Sequence, residues 1–168
     1  EQAASNKIRL KWKAPKTAVY TETYSEKYLY FEGAKYDGIS HQIPVYINRK
    51  RLASNVKGIT ASLNNMEFED LLSSDLDNIT GIDQIGDEIA ITATVTYFKK
   101  TPHSRISFVP IRKNASTGIF QKLISFNLDV VPAEFVNGNS KKKKAQYAAN
   151  SVLQGGSWYK ISVTQDGI

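Results

Sequence analysis

The sequence contains no cysteine, only two histidines and one methionine, and no apolar run of the ~18 residues that a membrane-spanning helix needs. The missing cysteine excludes a disulfide scaffold, a thiolate zinc site and a cysteine nucleophile. A chain of 168 residues buries about two-thirds of its unfolded surface, so a disulfide or metal is not needed for folding. The composition therefore predicts an ordinary folded core without a cofactor or a metal.

Positive charge is concentrated in one short run. The net charge is +6, and lysines 141–144 supply four positive charges directly after turn-forming residues 137–140. This run predicts a solvated loop, with contact to an anionic polymer or a membrane surface as the alternative. A nucleic-acid binder spreads Arg and Lys with aromatics over one face, so we predict no nucleic-acid partner. Because no apolar run is long enough to span a bilayer, we also predict no direct membrane insertion.

Alternation of apolar and polar residues with a period of two predicts strands along most of the chain. The nine tyrosines, seven phenylalanines and two tryptophans also favour strands. Short helices are predicted only at residues 66–76 and 145–153, from the spacing of leucines in the first and the alanines of the second. The predicted strands are residues 7–13, 27–31, 44–48, 56–63, 88–98, 106–111, 123–131 and 158–163.

These elements predict an all-β protein, an antiparallel β-sandwich of about eight strands with at most one or two short helices. In the first strand Ile8, Leu10 and Trp12 should share the buried face. Residues 106–111 and 123–131 should form a hairpin across residues 114–118. On its second strand the side chains expected to face inward are Ile124, Phe126, Leu128 and Val130. We expect an N-terminal sandwich domain over residues 1–150, with residues 151–168 as its final strand or as the first strand of a following domain.

No group of residues predicts catalysis. His41 and His103 lie in turn-like surroundings, which are typical of surface loops. The Gly-x-Ser-x-Gly turn of serine hydrolases is absent, and the acidic residues do not match the calcium-binding loop pattern. We therefore predict no catalytic, cofactor-binding or metal-binding residues.

Five tyrosines near the N-terminus form a candidate binding surface, since exposed tyrosines stack on sugars or anchor a protein partner. Core packing and cross-strand pairing are the alternative for the same residues. They are Tyr20, Tyr24, Tyr28, Tyr30 and Tyr36.

Two segments near the C-terminal end combine an aromatic strand pattern with turn residues. The first is Phe-Val-Pro-Ile-Arg-Lys-Asn-Ala-Ser-Thr-Gly at residues 108–118, running on to residues 122–126. The second is Asn-Ser-Val-Leu-Gln-Gly-Gly-Ser-Trp-Tyr-Lys-Ile-Ser-Val at residues 150–163, followed by Asp-Gly-Ile at residues 166–168. Both segments resemble the PorU-type proteins, gingipain-like cysteine peptidases that act as sortases in type IX secretion of Bacteroidetes. The residues that carry the resemblance are Pro110, Arg112, Gly118, Trp158, Tyr159, Lys160 and Gly167.

The resemblance implies a non-catalytic N-terminal β domain of an exported PorU-like cysteine peptidase or sortase, associated with the cell surface or outer membrane. It implies that the chain continues beyond Ile168, because the family's Cys/His dyad lies in a later domain. The small, polar N-terminus fits a mature protein after processing. The implied partners are the following peptidase domain and outer-membrane or secretion-complex proteins. A surface adhesin or carbohydrate-binding β-sandwich is the alternative function.

Overall fold

The computed structural model describes residues 7–134. Within them the chain forms nine strands, one short α-helix and one short 3-10 helix. The strands are β1 (Lys7–Arg9), β2 (Trp12–Val19), β3 (Ser25–Phe31), β4 (Tyr46–Arg51), β5 (Val56–Asp70), β6 (Thr92–Phe98), β7 (Thr101–Phe108), β8 (Ile111–Lys113) and β9 (Phe120–Glu134). The α-helix α1 covers Ser73–Leu76, and the 3-10 helix covers Ile82–Gln84. No helix of this region is long and apolar enough to cross a membrane.

The strands form three antiparallel sheets. In the first sheet β9 pairs with β5 along one edge and with β1 and β8 along the other. The second sheet has the order β4-β7-β6, and the third is the β2–β3 hairpin. The predicted all-β, sandwich-like fold is confirmed.

The core lies between the first two sheets. Phe108 of the second sheet and Phe126 of the first pack edge to face, with ring centroids 5.4 Å apart, and both rings contact Tyr46. The hairpin joins this core through Phe31, whose ring lies 5.2 Å from that of Trp12. A second buried cluster combines residues of strands with residues of the connections between them. It contains Leu29, Ile43, Leu71, Ile79, Ile85 and Ile111.

The predicted strand over residues 7–13 is two strands, because the chain leaves β9 at Leu10 and enters the hairpin at Trp12. Ile8, Leu10 and Trp12 all pack in the core, as predicted. The Trp12 indole Nε1 donates a hydrogen bond to the Leu123 carbonyl at 2.8 Å, which connects the hairpin to the first sheet.

The predicted helix over residues 66–76 is wrong over its first half. Strand β5 continues to Asp70, where Phe68 pairs with Leu123 of β9, and only Ser73–Leu76 is helical. A β-bulge lies between Asn64 and Glu67 of β5. Phe68 belongs to this strand and Leu76 to α1, so the apparent helical spacing runs across two different elements. The second predicted helix, at residues 145–153, lies outside the described residues.

The predicted hairpin across residues 114–118 exists, but its first arm is β8 alone. Strand β7 ends at Phe108 and pairs with β4 and β6 in the other sheet, while Ile111–Lys113 pairs with β9. The buried Pro110 separates the two strands. Residues 106–108 therefore belong to the opposite layer of the sandwich.

The predicted inward position of Ile124 is also wrong, because a bulge opposite Glu67 places an extra residue there. Ile124 is half-buried and lines a surface cleft of about 500 Å³ instead. Phe126, Leu128 and Val130 pack on the core, as predicted. The predicted strand over residues 158–163 and the domain boundary at residue 150 lie outside the described residues.

Candidate interaction surfaces

The tip of the β2–β3 hairpin exposes three apolar side chains. Val19, Tyr20 and Tyr24 are 73%, 60% and 52% exposed, and the two tyrosine rings lie 5.6 Å apart at an angle of 35°. The turn that holds them is closed by a hydrogen bond from the Tyr20 amide to the Tyr24 carbonyl at 2.9 Å. Two of the five predicted tyrosines therefore form an exposed aromatic pair.

Glu26 holds the ring of Tyr24 in place. The Tyr24 hydroxyl donates a hydrogen bond to Glu26, and the His41 Nε2 lies 2.6 Å from the other oxygen of the same carboxylate. The hydrogen bond from Tyr24, followed by that from His41, lowers the pKa of Glu26, and the bond to Glu26 raises the pKa of Tyr24. His41 is exposed in a loop, as predicted. Its ring lies beside the Glu26 carboxylate, which also accepts the hydrogen bond from Tyr24.

The other three predicted tyrosines are half-buried and engaged. The rings of Tyr28 and Tyr36 pack edge to face at 5.6 Å, and the Tyr36 hydroxyl donates to the Leu29 carbonyl at 2.8 Å. Burial raises the pKa of Tyr36 to about 12. The Lys16 Nζ lies 3.5 Å above the ring of Tyr30. These three rings therefore pack against neighbouring side chains, and the exposed tyrosines of the candidate surface are the two at the hairpin tip.

The motif residues within the described region support the first sheet. The Arg112 guanidinium lies 3.6 Å above the ring of Phe68 and donates to Gln121 Oε1 from Nε and Nη2 at 3.1 and 3.0 Å. Gly118 has a φ of +71°, and its amide closes the β8–β9 turn on the Asn114 carbonyl at 2.7 Å. Both residues therefore maintain the strand–turn–strand unit. Trp158, Tyr159, Lys160 and Gly167 lie outside the described residues.

Sequence reasoning missed the outer face of the β4-β7-β6 sheet, which places two arginines directly opposite one another. Arg49 of β4 is directly opposite Arg105 of β7, and Arg51 is opposite His103. The sequence contains one sign of this positively charged face, because residues 38–66 and 89–128, which include the three strands, contain no Asp or Glu. His103 was predicted to lie in a surface loop, but it is half-buried in β7.

Within residues 7–134, no group of three or more His, Cys, Asp or Glu side chains is arranged to hold a metal ion. Surface clefts beside Trp12 and beside Phe68 are lined by mixed polar and apolar side chains. The cleft beside Trp12 contains ion pairs, such as that between Lys122 and Glu69 at 3.0 Å. These pairs connect neighbouring strands, so we assign this cleft to the support of the sheet.

No protein-family model matches the chain, and no curated protein matches it. Among solved structures, the chain is similar to one described as the complex of Porphyromonas gingivalis RgpB pro- and mature domains. The two chains share 11% sequence identity with a TM-score of 0.49, and the similarity covers 76% of this chain and 78% of that chain.

Proposed function

We propose that this chain is a non-catalytic β domain of an exported PorU-like cysteine peptidase or sortase at the cell surface or outer membrane. In this role it packs on the peptidase domain, regulates it, or mediates assembly with outer-membrane or secretion-complex proteins. The two PorU-like segments support the proposal, and the cysteine-free sequence agrees with a catalytic dyad carried by another part of the protein. The active-site chemistry would then belong to the parent protein.

The observation that carries a docking role is the exposed aromatic pair at the hairpin tip. Tyr20 and Tyr24 offer a large contact area, and tyrosine is enriched among the residues that dominate protein interfaces. Val19 beside them extends the apolar area. An apolar tip of this kind gains free energy when a partner removes it from water.

The hairpin also holds the tip in a defined position before binding. Its base is anchored in the core by Trp12 and Phe31, and Glu26 fixes Tyr24 near the tip. Fewer side-chain conformations are lost when such a surface binds, which raises affinity. We therefore infer that the hairpin tip is the docking element.

The test begins with the gene. We expect its coding sequence to continue beyond Ile168 into a domain with a Cys/His dyad, and this downstream domain is then produced separately. Its affinity for the present chain is measured by titration calorimetry. Joint Tyr20→Ala and Tyr24→Ala substitution should weaken binding ~30-fold or more, as loss of one interface hot spot of about 2 kcal/mol does.

Tyr97→Ala is the matched control, because Tyr97 is 57% exposed on a different hairpin. It should bind like the wild type. A stop codon directly after Ile168, a downstream domain of another class, or equal affinity for all variants would contradict the proposal.

A carbohydrate-binding adhesin is the second candidate function, and the exposed rings of Tyr20 and Tyr24 also favour it. Open aromatic faces stack on sugars, whereas the engaged rings of Tyr28 and Tyr36 are less suited to this. A glycan array separates the two functions. Glycan binding by the wild type that is lost in the Tyr20→Ala, Tyr24→Ala variant would favour the adhesin.

A further inference from the structure

The outer face of the β4-β7-β6 sheet can be assigned from its register. In the central strand β7, Ile106 and Phe108 belong to the buried core. Because side chains alternate across a strand, His103 and Arg105 point away from that core. Their directly paired neighbours lie on the same outer face, the arginine face. It comprises Ile47, Arg49, Arg51, Thr92, Thr94, Thr96, Phe98, His103, Arg105 and Ser107.

The arginine face carries positive charge with little compensation. Strands β4, β6 and β7 contain no Asp or Glu. Arg105 pairs with Asp37 from a neighbouring loop, with 2.8 Å between Nη2 and Oδ2. Within residues 7–134, no ion pair involves Arg49 or Arg51.

This arrangement opposes folding of the sheet. Residues directly opposite one another on antiparallel strands have Cβ atoms about 5 Å apart, and like charges there are destabilising. Arg49 faces Arg105 in this way. Such a face attracts an anionic partner, which would relieve the repulsion.

The surroundings of Arg49 indicate which anionic partner fits. Arg49 and Ile47 line a cavity of about 430 Å³ together with Lys35, Tyr36 and Asp37. Arg49 and Lys35 supply positive charge there and Ile47 an apolar contact, while the Asp37 carboxylate is already paired with Arg105. This combination accommodates a carboxylate next to an apolar side chain, which acidic polypeptide segments provide. Arginine suits this role because its planar guanidinium binds carboxylates through two parallel hydrogen bonds.

This cavity is poorly suited to the stacking of sugars or bases, because its aromatic ring is already engaged. Its aromatic residue, Tyr36, packs edge to face on Tyr28, and its hydroxyl is bonded to the Leu29 carbonyl. Phe98 at the far end of the face is 66% exposed and offers a second apolar contact for a polypeptide. The face therefore favours protein over polysaccharide or nucleic acid.

We propose that the arginine face binds an acidic segment of a partner protein, with an apolar side chain of that segment in the Ile47 cavity. This surface differs from the hairpin tip, so the inference does not depend on the parent protein being a peptidase. Binding should weaken with salt, because the attraction between exposed charges is screened.

The test uses a fluorescein-labelled peptide of alternating Glu, Asp and Leu residues, with heparin and a single-stranded oligonucleotide as competing classes. Binding is followed by fluorescence anisotropy at low and at physiological salt. We expect the peptide to bind the wild type, and joint Arg49→Gln and Arg51→Gln substitution to weaken it about tenfold or more.

The control variant carries Lys57→Gln and Lys113→Gln, which removes the same charge from exposed positions on the other sheet. It should bind like the wild type. Arg49→Lys with Arg51→Lys keeps the charge and should retain part of the affinity, which distinguishes recognition from loss of folding. Equal binding by the Gln variant and the wild type, no peptide binding at low salt, or binding of only heparin or the oligonucleotide at physiological salt would overturn the proposal.

Discussion

Gln42 is the buried polar residue whose replacement should cost the most stability. Its side chain is 3% exposed and connects two separate parts of the chain. The Nε2 donates to the carbonyls of Lys27 in β3 and Asn78 at 2.8 and 3.0 Å, and the Oε1 accepts from the Thr80 amide at 2.8 Å. Gln42 therefore fixes the loop after α1 against the strand that carries the hairpin.

Gln42→Met keeps the length of the side chain and removes all three hydrogen bonds. Each lost bond costs about 1 kcal/mol net, and more where a backbone group stays buried without a partner. The apolar methionine regains ~1 kcal/mol by burial. The free energy of unfolding should therefore fall by about 2 kcal/mol or more, which corresponds to a fall in Tm of roughly 6 °C.

Urea unfolding followed by tryptophan fluorescence measures this change, and calorimetry gives the Tm. Gln84→Met is the control, because Gln84 is exposed in the 3-10 helix. The control should change the free energy of unfolding by less than ~0.5 kcal/mol. A loss below about 1 kcal/mol in Gln42→Met would refute the assignment of Gln42 as a structural link.

Three further predictions concern titration and the turn. The pKa of Tyr36 is raised from 10.0 to about 12, so the stability that its protonated form contributes is complete below pH 10 and is lost between pH 10 and about 12. Tyr36→Phe should make the Tm fall less steeply across that range. The Lys7 ammonium, and then the Ser125 hydroxyl, lower the pKa of Glu67 below 4.5, so its contribution is present above that pH and is lost on acidification through the lower folded pKa. Glu67→Gln should therefore flatten the decline of Tm below pH 4.5. In Gly118→Ala the added methyl meets only the Lys113 side chain, at an ordinary 4.0 Å, but φ stays at +71°, so the change should cost about 1 kcal/mol in denaturant unfolding. An unchanged midpoint would contradict the strain argument.

Regular alternation made much of the fold predictable. The burial of Ile8, Leu10 and Trp12 followed from period-two patterning, and so did that of Phe126, Leu128 and Val130. These features depend on the strand geometry of a few consecutive residues. They are encoded locally, so the sequence was sufficient to find them.

The errors occurred where pairing partners shift that pattern. Two bulges, one between Asn64 and Glu67 and one at Ile124, change which side chains face the core. Their positions depend on the partner strand far along the chain, so the local sequence does not show them. The same reason explains why residues 106–108 were assigned to the wrong layer.

The interaction surfaces were predictable only in part. Composition identified the tyrosines, but the position of Tyr20 and Tyr24 at the tip, and of Tyr36 against Tyr28, depends on where the hairpin turns and what packs beneath it. The arginine face required the pairing of Arg49 with Arg105, which joins residues distant in sequence. Long-range register therefore determines both surfaces.

Hydrogen exchange of the hairpin tip tests the docking claim most directly. Amide exchange over residues 17–26 is compared between this chain and the longer protein that includes the downstream domain, with residues 97–102 of the β6–β7 hairpin as the internal reference. We predict slower exchange at the β2–β3 tip in the longer protein and unchanged exchange at the reference hairpin. Equal exchange at the β2–β3 tip in both proteins would contradict the account.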